Sequence, residues 1–216
     1  DGTFHVHQTK LPSRNYFDME LIDLNGDKRE DLIVSCGDVF LRHPDGTHAE
    51  TPSFHLTPPA GEPQGWAFLG AADFDNDGST DVALLADGQN DTAIRLFRNT
   101  GSSQEPYPTE PSAEFSVDNS VVNRDGPTVA DFNGDGISDL ILGKRGEPPG
   151  VRVLLGSRSD GLDPHRVISI ELDYTPHFDT RLGAADFNGD GRLDLAGFGP
   201  SATGAVGIYI WLQPRD

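Results

Sequence analysis

Short apolar runs separated by polar turns recur along the chain, and the order in which they come repeats four times. Each repeat has an apolar stretch, an acidic segment, a second apolar stretch, a polar or Gly-rich turn and a third run of β-type residues. Alternation and β-branched residues favour strands over helices in these runs. The predicted strands are 19–22, 32–34, 39–41 and 53–56, then 69–72, 82–85, 92–97 and 114–117, then 129–130, 140–142, 151–155 and 167–172, and finally 182–185, 195–198 and 206–212.

The acidic segments of the four repeats are near copies of one another, at 23–31, 73–81, 131–139 and 186–194. Their first aspartates are 50, 58 and 55 residues apart. Four antiparallel strands at a period of roughly 40 to 55 residues are typical of a propeller blade. The sequence therefore predicts an all-β fold in which residues 1–216 form one β-propeller domain of four blades, each with four antiparallel strands.

The two ends of the chain complete this pattern, because the last repeat stops after its third strand and residues 1–7 read as an isolated fourth strand. We expect residues 3–7 to pair with the strand at 206–211, so that the N-terminal strand closes the C-terminal blade and removes the exposed edges of the ring. If four blades do not close alone, two chains could combine into a larger ring, which would make the protein a homodimer.

Each acidic segment places oxygen atoms at loop positions 1, 3, 5 and 9, counted from its first aspartate, and position 7 offers a backbone carbonyl. Hard oxygen donors in a flexible loop suit Ca²⁺, which takes 6 to 8 oxygens, better than Mg²⁺. An EF-hand would need Glu at position 12, where the chain has Val34, Leu84, Leu142 and Gly197, and it would need flanking helices. The predicted ligands, for up to four ions, are Asp23, Asn25, Asp27, Arg29 and Asp31; Asp73, Asp75, Asp77, Ser79 and Asp81; Asp131, Asn133, Asp135, Ile137 and Asp139; and Asp186, Asn188, Asp190, Arg192 and Asp194.

The alternative explanation of these loops is that Asp-Gly and Asn-Gly pairs simply make good turns. That accounts for one loop but leaves the crowding of like charges in four loops unexplained, since such crowding costs stability unless a cation offsets it. The first loop is the weakest candidate, because Lys28 replaces Gly at position 6 and brings a positive charge to the site.

The formal net charge of −19 argues against nucleic acid as a partner, because affinity for nucleic acid comes largely from neutralising phosphates. Anionic lipid would repel the chain for the same reason, and no apolar run approaches the roughly 18 residues of a membrane span. Cys36 is the one cysteine of the sequence, so it cannot form an intrachain disulfide. We therefore expect neither nucleic-acid binding nor membrane insertion.

The sequence Ala-Asp-Phe-Asn-Gly-Asp-Gly-x-x-Asp-Leu occurs at 130–140 and again at 185–195, and Leu-Gly-Ala-Ala-Asp occurs at 69–73 and 182–186. On these motifs the chain resembles the FG-GAP/VCBS repeats of integrin α-subunit propellers and of many secreted bacterial proteins. The resemblance implies calcium loops on one face of a propeller and ligand binding on the other. It also implies a secreted, cell-surface or periplasmic location, where Ca²⁺ is millimolar, and roles such as cell adhesion.

The opposite face would collect the residues seven positions before each loop, which are Tyr16, Trp66, Arg124 and Asp179. Amphipathic aromatic residues there could stack on a sugar ring or anchor a protein partner, although they could equally be ordinary rim residues. We expect a module that binds carbohydrate or a protein. The alternative is the propeller domain of a polysaccharide-degrading lyase or hydrolase, but the spacing of the remaining acids singles out no catalytic pair.

Overall fold

The computed structural model describes residues 18–56, 68–87, 91–118, 120–121, 126–144, 150–171, 182–200 and 206–213. These residues contain strands and turns and no helix. In chain order the strands are β1 (Met19–Ile22), β2 (Asp31–Val34), β3 (Asp38–Phe40), β4 (Phe54–His55), β5 (Phe68–Ala72), β6 (Asp81–Asp87), β7 (Asp91–Phe97), β8 (Ala113–Asp118), β9 (Ser120–Val121), β10 (Thr128–Ala130), β11 (Asp139–Lys144), β12 (Gly150–Ser157), β13 (Gly161–Glu171), β14 (Gly183–Ala185), β15 (Asp194–Pro200) and β16 (Val206–Trp211).

The strands form four antiparallel sheets, and each sheet corresponds to one sequence repeat. The first sheet has the order β1-β2-β3-β4, the second β5-β6-β7-β8, the third β10-β11-β12-β13, and the fourth β14-β15-β16. Apart from β9, which adds to the third sheet, the strands of each sheet follow one another as a meander, which short connections between antiparallel strands permit. The prediction of an all-β fold built from antiparallel repeats is confirmed.

The third sheet departs from the predicted pattern in two places. The short strand β9 pairs with β11 beside β10, an addition that the sequence pattern did not indicate. Strand β13 begins at Gly161 rather than at 167, and its pairing with β12 shifts register between Leu154 and Gly156. Such a shift inserts an irregularity into the ladder, so the strand continues past the interruption that made the sequence read as a turn.

Successive sheets pack face to face, and one apolar cluster lies between each pair of neighbours. The clusters contain Leu24, Ile33, Val39, Leu69, Val82 and Leu84 between the first and second sheets; Phe74, Ala83, Leu85, Leu96, Leu140 and Leu142 between the second and third; and Phe132, Ile141, Val153, Leu182 and Leu195 between the third and fourth. The first strands of the sheets, β1, β5, β10 and β14, contact one another in that order. This arrangement of radially repeated antiparallel sheets is propeller-like.

Closure of the four sheets into one ring is not seen among the described residues. The fourth sheet has three strands there, and residues 3–7, which the sequence assigns as its fourth strand, lie outside the described residues. The pairing of the N-terminal strand with β16 therefore stays a prediction. Within the described ranges, no helix has the length and apolar character that crossing a membrane requires.

Candidate functional site

The four acidic loops connect the first strand of each sheet to the second, as the sequence predicts. The first two loops are each tied to the next sheet by a hydrogen bond from the end of its third strand or from the residues just after it. The side-chain Nδ2 of Asn99 donates to the carbonyl of Leu24 at 2.9 Å, and the backbone N–H of Ser157 donates to the carbonyl of Phe74 at 3.0 Å. Both acceptors occupy loop position 2, so the first three sheets are linked at the edge that carries the loops.

The aspartate at position 1 organises the turn of each loop by accepting backbone hydrogen bonds. In the third loop the Asp131 carboxylate accepts from the N–H groups of Gly134, Asp135 and Gly136 at 2.8 to 3.0 Å. Gly134 and Gly136 have φ of 76° and 83°, a left-handed conformation that glycine adopts without steric cost. In the first loop Lys28 takes this conformation at φ 67°, so a side chain stands where glycine would be relaxed.

The aspartate at position 9 is buried and joins the start of its loop to the end of the third strand. Asp139 accepts from the N–H of Phe132 at 2.8 Å through Oδ2, and from the N–H of Gly156 at 2.8 Å through Oδ1. Its equivalents make the same two kinds of bond. These are Asp31 with Leu24 and Arg42, Asp81 with Phe74 and Asn99, and Asp194 with Phe187 and Gln213.

Burial raises the pKa of three of these carboxyl groups, Asp31, Asp81 and Asp139, because desolvation disfavours the charged form. The pKa of Asp81 rises to about 7, with the negative charges of Asp75 and Asp77 adding to the effect of burial. The backbone hydrogen bonds act in the opposite direction. Sequence reasoning assigned position 9 only as a ligand and missed this second role. The recurrence of Asp directly before the apolar run of each second strand is the signal that could have indicated it.

The second loop brings three carboxylates together. One oxygen from each of Asp73, Asp75 and Asp81, at positions 1, 3 and 9, lies within 4.8 Å of the others. Asp75 and Asp81 are buried, at 3% and 0% exposure, so water does little to screen negative charge on their carboxylates. Closely spaced oxygen donors of this kind are the donor set that a hard divalent cation takes, and they repel one another when no cation is near.

Arginine side chains contact several of the loop carboxylates. Arg98, which follows β7, donates to Asp75 from Nε at 2.7 Å and from its terminal nitrogen. In the first and fourth loops the arginine at position 7 pairs with the aspartate at position 5, Arg29 with Asp27 and Arg192 with Asp190. The third loop has Ile137 at position 7 and therefore has no arginine of its own there.

The residue at position 7 donates its backbone N–H to the position-5 carboxylate in all four loops, which keeps these two predicted ligands adjacent.

The residues proposed for the opposite face, Tyr16, Trp66, Arg124 and Asp179, lie outside the described residues. Their gathering around one axis therefore stays a prediction.

Fold and loops together define an all-β repeat protein in which each antiparallel sheet carries one aspartate-rich loop between its first two strands. Comparison with family models agrees with this class: the FG-GAP-like repeat matches residues 23–84, 73–142 and 131–197. Since these matches span most of the chain, the protein belongs to the FG-GAP-like repeat family. Each match runs from one acidic loop into the second strand of the following repeat. A comparison with curated proteins finds no match.

Proposed function

We propose that this protein is a calcium-stabilised binding module with a propeller architecture. The observation that carries the calcium part of the proposal is the convergence of Asp73, Asp75 and Asp81 in the second loop. Three carboxylate oxygens within 4.8 Å of one another, two of them on buried residues, form a donor set that suits a hard cation. Without a cation, the negative charges of these carboxylates repel one another.

In each loop the side chains at positions 1, 3, 5 and 9 and the carbonyl at position 7 would hold the ion, with Asp77 and Ser79 completing the second loop. A bound Ca²⁺ would supply positive charge where the chain concentrates its acids, and four ions would offset eight of the 19 net negative charges. Because the ion binds the native loops and not the unfolded chain, it stabilises the fold by mass action. Its role here is structural.

Thermal unfolding in chelator and in millimolar Ca²⁺ tests this role. We expect chelator to lower the melting temperature by several degrees or more and Ca²⁺ to restore it, with Mg²⁺ restoring less. The Asp77→Asn variant keeps the oxygen that accepts from Ser79 at 2.8 Å but removes a charge, so the rise in melting temperature on adding Ca²⁺ should shrink. Asp45→Asn makes the same charge change in an exposed turn outside the loops and should leave that rise unchanged.

A melting temperature that is the same in chelator and in Ca²⁺ would remove calcium from the proposal. Equal calcium responses in Asp77→Asn and Asp45→Asn would show that binding does not involve the second loop. These two results are distinct, because the first concerns the whole chain and the second concerns one site.

The binding part of the proposal places a carbohydrate or a protein partner on the face opposite the acidic loops, with Trp66 as the largest contributor. Loops on a rigid scaffold are where binding specificity usually lies, and aromatic side chains offer stacking surface. Extracellular calcium modules bind Ca²⁺ in the 10⁻⁴–10⁻³ M range, so the proposal includes a secreted, cell-surface or periplasmic location. A glycan array and a pull-down with wild type, Trp66→Ala and Tyr16→Ala test it. Undiminished binding by both variants, with calcium-dependent melting intact, would move the site elsewhere.

A further inference from the structure

The first and fourth acidic loops share a contact that requires an arginine at loop position 7. That position is arginine in the first and fourth loops, serine in the second and isoleucine in the third. Each arginine turns back onto the aspartate two residues before it, so that Arg29 pairs with Asp27 and Arg192 pairs with Asp190. In these two loops the position-5 ligand already has a positively charged neighbour from its own loop.

The same two arginines also reach the end of the third strand of their sheet. Arg29 donates from Nε to the carbonyl of Arg42 at 3.0 Å, and a terminal nitrogen of Arg192 donates to the carbonyl of Gln213 at 3.1 Å. Arg42 and Gln213 are equivalent residues, because each donates its own N–H to the position-9 aspartate of its loop, at 2.8 and 2.7 Å. This arrangement, named the arginine clip below, therefore joins position 5 to the residue that position 9 holds, which is the span that an ion bound in the loop would bridge.

The balance of charge consequently differs between the loops. The first loop sets Lys28 and Arg29 against its three aspartates at positions 1, 5 and 9, and the fourth loop sets Arg192 against its three. The second loop has an additional aspartate at position 3, Asp75, and this carboxylate is paired with Arg98. The second loop therefore keeps the aspartates at positions 1, 5 and 9 without a paired arginine or lysine.

The third loop reaches the same state without an arginine. Among the described residues, its aspartates at positions 1, 5 and 9 form no ion pair with a lysine or an arginine. The neighbour of Asp135 there is the amide of Asn133, which donates from Nδ2 at 3.0 Å. An amide can turn its oxygen toward an ion, whereas a guanidinium carries donors only and stays charged.

Calcium affinity in loops of oxygen ligands depends on the number of charged ligands around the ion. A cation in the first or fourth loop would meet a guanidinium that is already bonded to one of its ligands. Arg29 and Arg192 are only partly exposed, at 38% and 31% of their side chains, so they lie against the loop and not in bulk water. A unit positive charge a few ångströms from a divalent ion weakens its binding by about tenfold or more, even where water screens the charges.

We infer that Arg29 and Arg192 are resident counter-ions that substitute for Ca²⁺ in the first and fourth loops. The second and third loops then form the tight class of calcium sites, and the other two bind the ion about tenfold or more weakly. This inference rests on the proposed calcium function and specifies which loops use the metal. The arginine clip holds the first and fourth loops to their third strands without an ion, whereas the second and third loops need an ion to offset their carboxylates.

Calorimetric titration of Ca²⁺ into the full chain, after calcium and chelator have been removed, tests the inference. We expect two ions in the tight class. Replacing the position-5 aspartate by asparagine locates them, because Asp77→Asn and Asp135→Asn should each remove one ion from that class. Asp27→Asn and Asp190→Asn make the same change at the same position of the clipped loops and should leave two tight ions.

Substitutions at position 7 test whether the arginine is the cause. Arg192→Gln removes the guanidinium, so the fourth loop should bind about tenfold more tightly and a third ion should enter the tight class. Ser79→Arg provides the second loop with an arginine at the same position and should leave one tight ion. Arg152→Gln removes the same charge from an exposed contact with a serine on β12 and is the control, with two tight ions expected. A cooperative melting transition in chelator establishes that each variant is folded.

The possible results separate this inference from the function on which it rests. No calcium uptake by the wild-type chain would overturn the proposed function and the inference together. Four equivalent sites would overturn the inference and leave the proposed calcium function standing. Two tight ions in Arg192→Gln, or the loss of a tight ion in Asp190→Asn, would likewise show that the arginine clip does not decide which loops bind calcium.

Discussion

Replacing Asp139 by alanine removes the carboxylate that joins the third acidic loop to the end of β12. The side chain is fully buried and accepts from the N–H groups of Phe132 at 2.8 Å, Asn133 at 3.3 Å and Gly156 at 2.8 Å. Alanine offers no acceptor, and water has little access to a position that is 0% exposed. The variant therefore leaves at least two buried backbone donors without a partner.

The cost follows from these donors. A buried donor that loses its partner costs about 1–3 kcal/mol, so the two short bonds, to Phe132 and Gly156, predict a loss of roughly 2–6 kcal/mol in the free energy of unfolding. Domains are stable by only about 5–15 kcal/mol, so the variant should lie near the limit of folding. Asp139→Asn keeps one acceptor oxygen and should fall between alanine and wild type.

Urea unfolding in chelator measures this loss without any contribution from bound Ca²⁺. Relief of the repulsion between Asp139 and Asp135 acts in the opposite direction, so the measured loss is a lower bound on the cost of the lost hydrogen bonds. Asp45→Ala is the matched control: its carboxylate accepts from Thr47 in an exposed turn, where water can replace it, and the expected cost is below about 1 kcal/mol. If Asp139→Ala in chelator loses no more stability than Asp45→Ala, the buried carboxylate does not hold the loop and the reasoning is wrong. A larger loss in Ca²⁺ than in chelator would show that Asp139 also binds the ion.

Two further substitutions test the contacts around the loops. Arg98→Gln leaves the buried Asp75 without its guanidinium, so the chain should be less stable in chelator and its melting temperature should rise more with Ca²⁺ than that of wild type. Arg152→Gln, which removes an exposed contact to a serine, is the control. Equal calcium responses in the two variants would contradict competition between the guanidinium and the ion. Gly156→Ala places a Cβ against the Ile137 side chain and a backbone carbonyl, so it should lower the free energy of unfolding in urea by about 1–3 kcal/mol or more. In the control, Gly183→Ala, the added Cβ meets nothing closer than 3.9 Å. Similar unfolding midpoints for the two variants would refute the tight packing at Gly156.

The sequence could predict the strands because each has a local signal. Alternation and β-branched residues mark β7 and β11, and the Asp-rich motif marks the turn before each second strand. Family membership was also within reach, because the motif occurs nearly unchanged in the third and fourth repeats. Strand β9 and the long β13 were not predicted, since their pairing depends on a neighbouring strand and a register shift that no periodicity records.

Contacts between distant positions were also beyond the sequence pattern. The bond from Arg98 to Asp75 joins residues 23 apart, and nothing in the spacing of the second loop indicates it. The sequence pattern also does not indicate that Met19 and Ile208 are exposed, because it predicts only that each is an apolar residue of a strand. Whether such a residue is covered depends on which sheet lies beside it, and the sequence pattern is the same in either case.

The aspartate motif carries a structural role and the ion-binding role proposed above, and one sequence pattern cannot separate the two. Position 9 is buried and bonded to the backbone in every repeat, so an acid is needed there for the fold even if no ion is bound. Positions 1, 3 and 5 lie nearer the surface in most loops, and their charges repel one another unless a cation or an arginine offsets them. The arginines that pair with these carboxylates come from different positions in different loops, so the repulsion among the carboxylates is offset differently from one repeat to the next. The position-9 aspartate therefore serves the fold in every repeat, and under the proposed function the charges around it would decide how strongly each loop binds an ion.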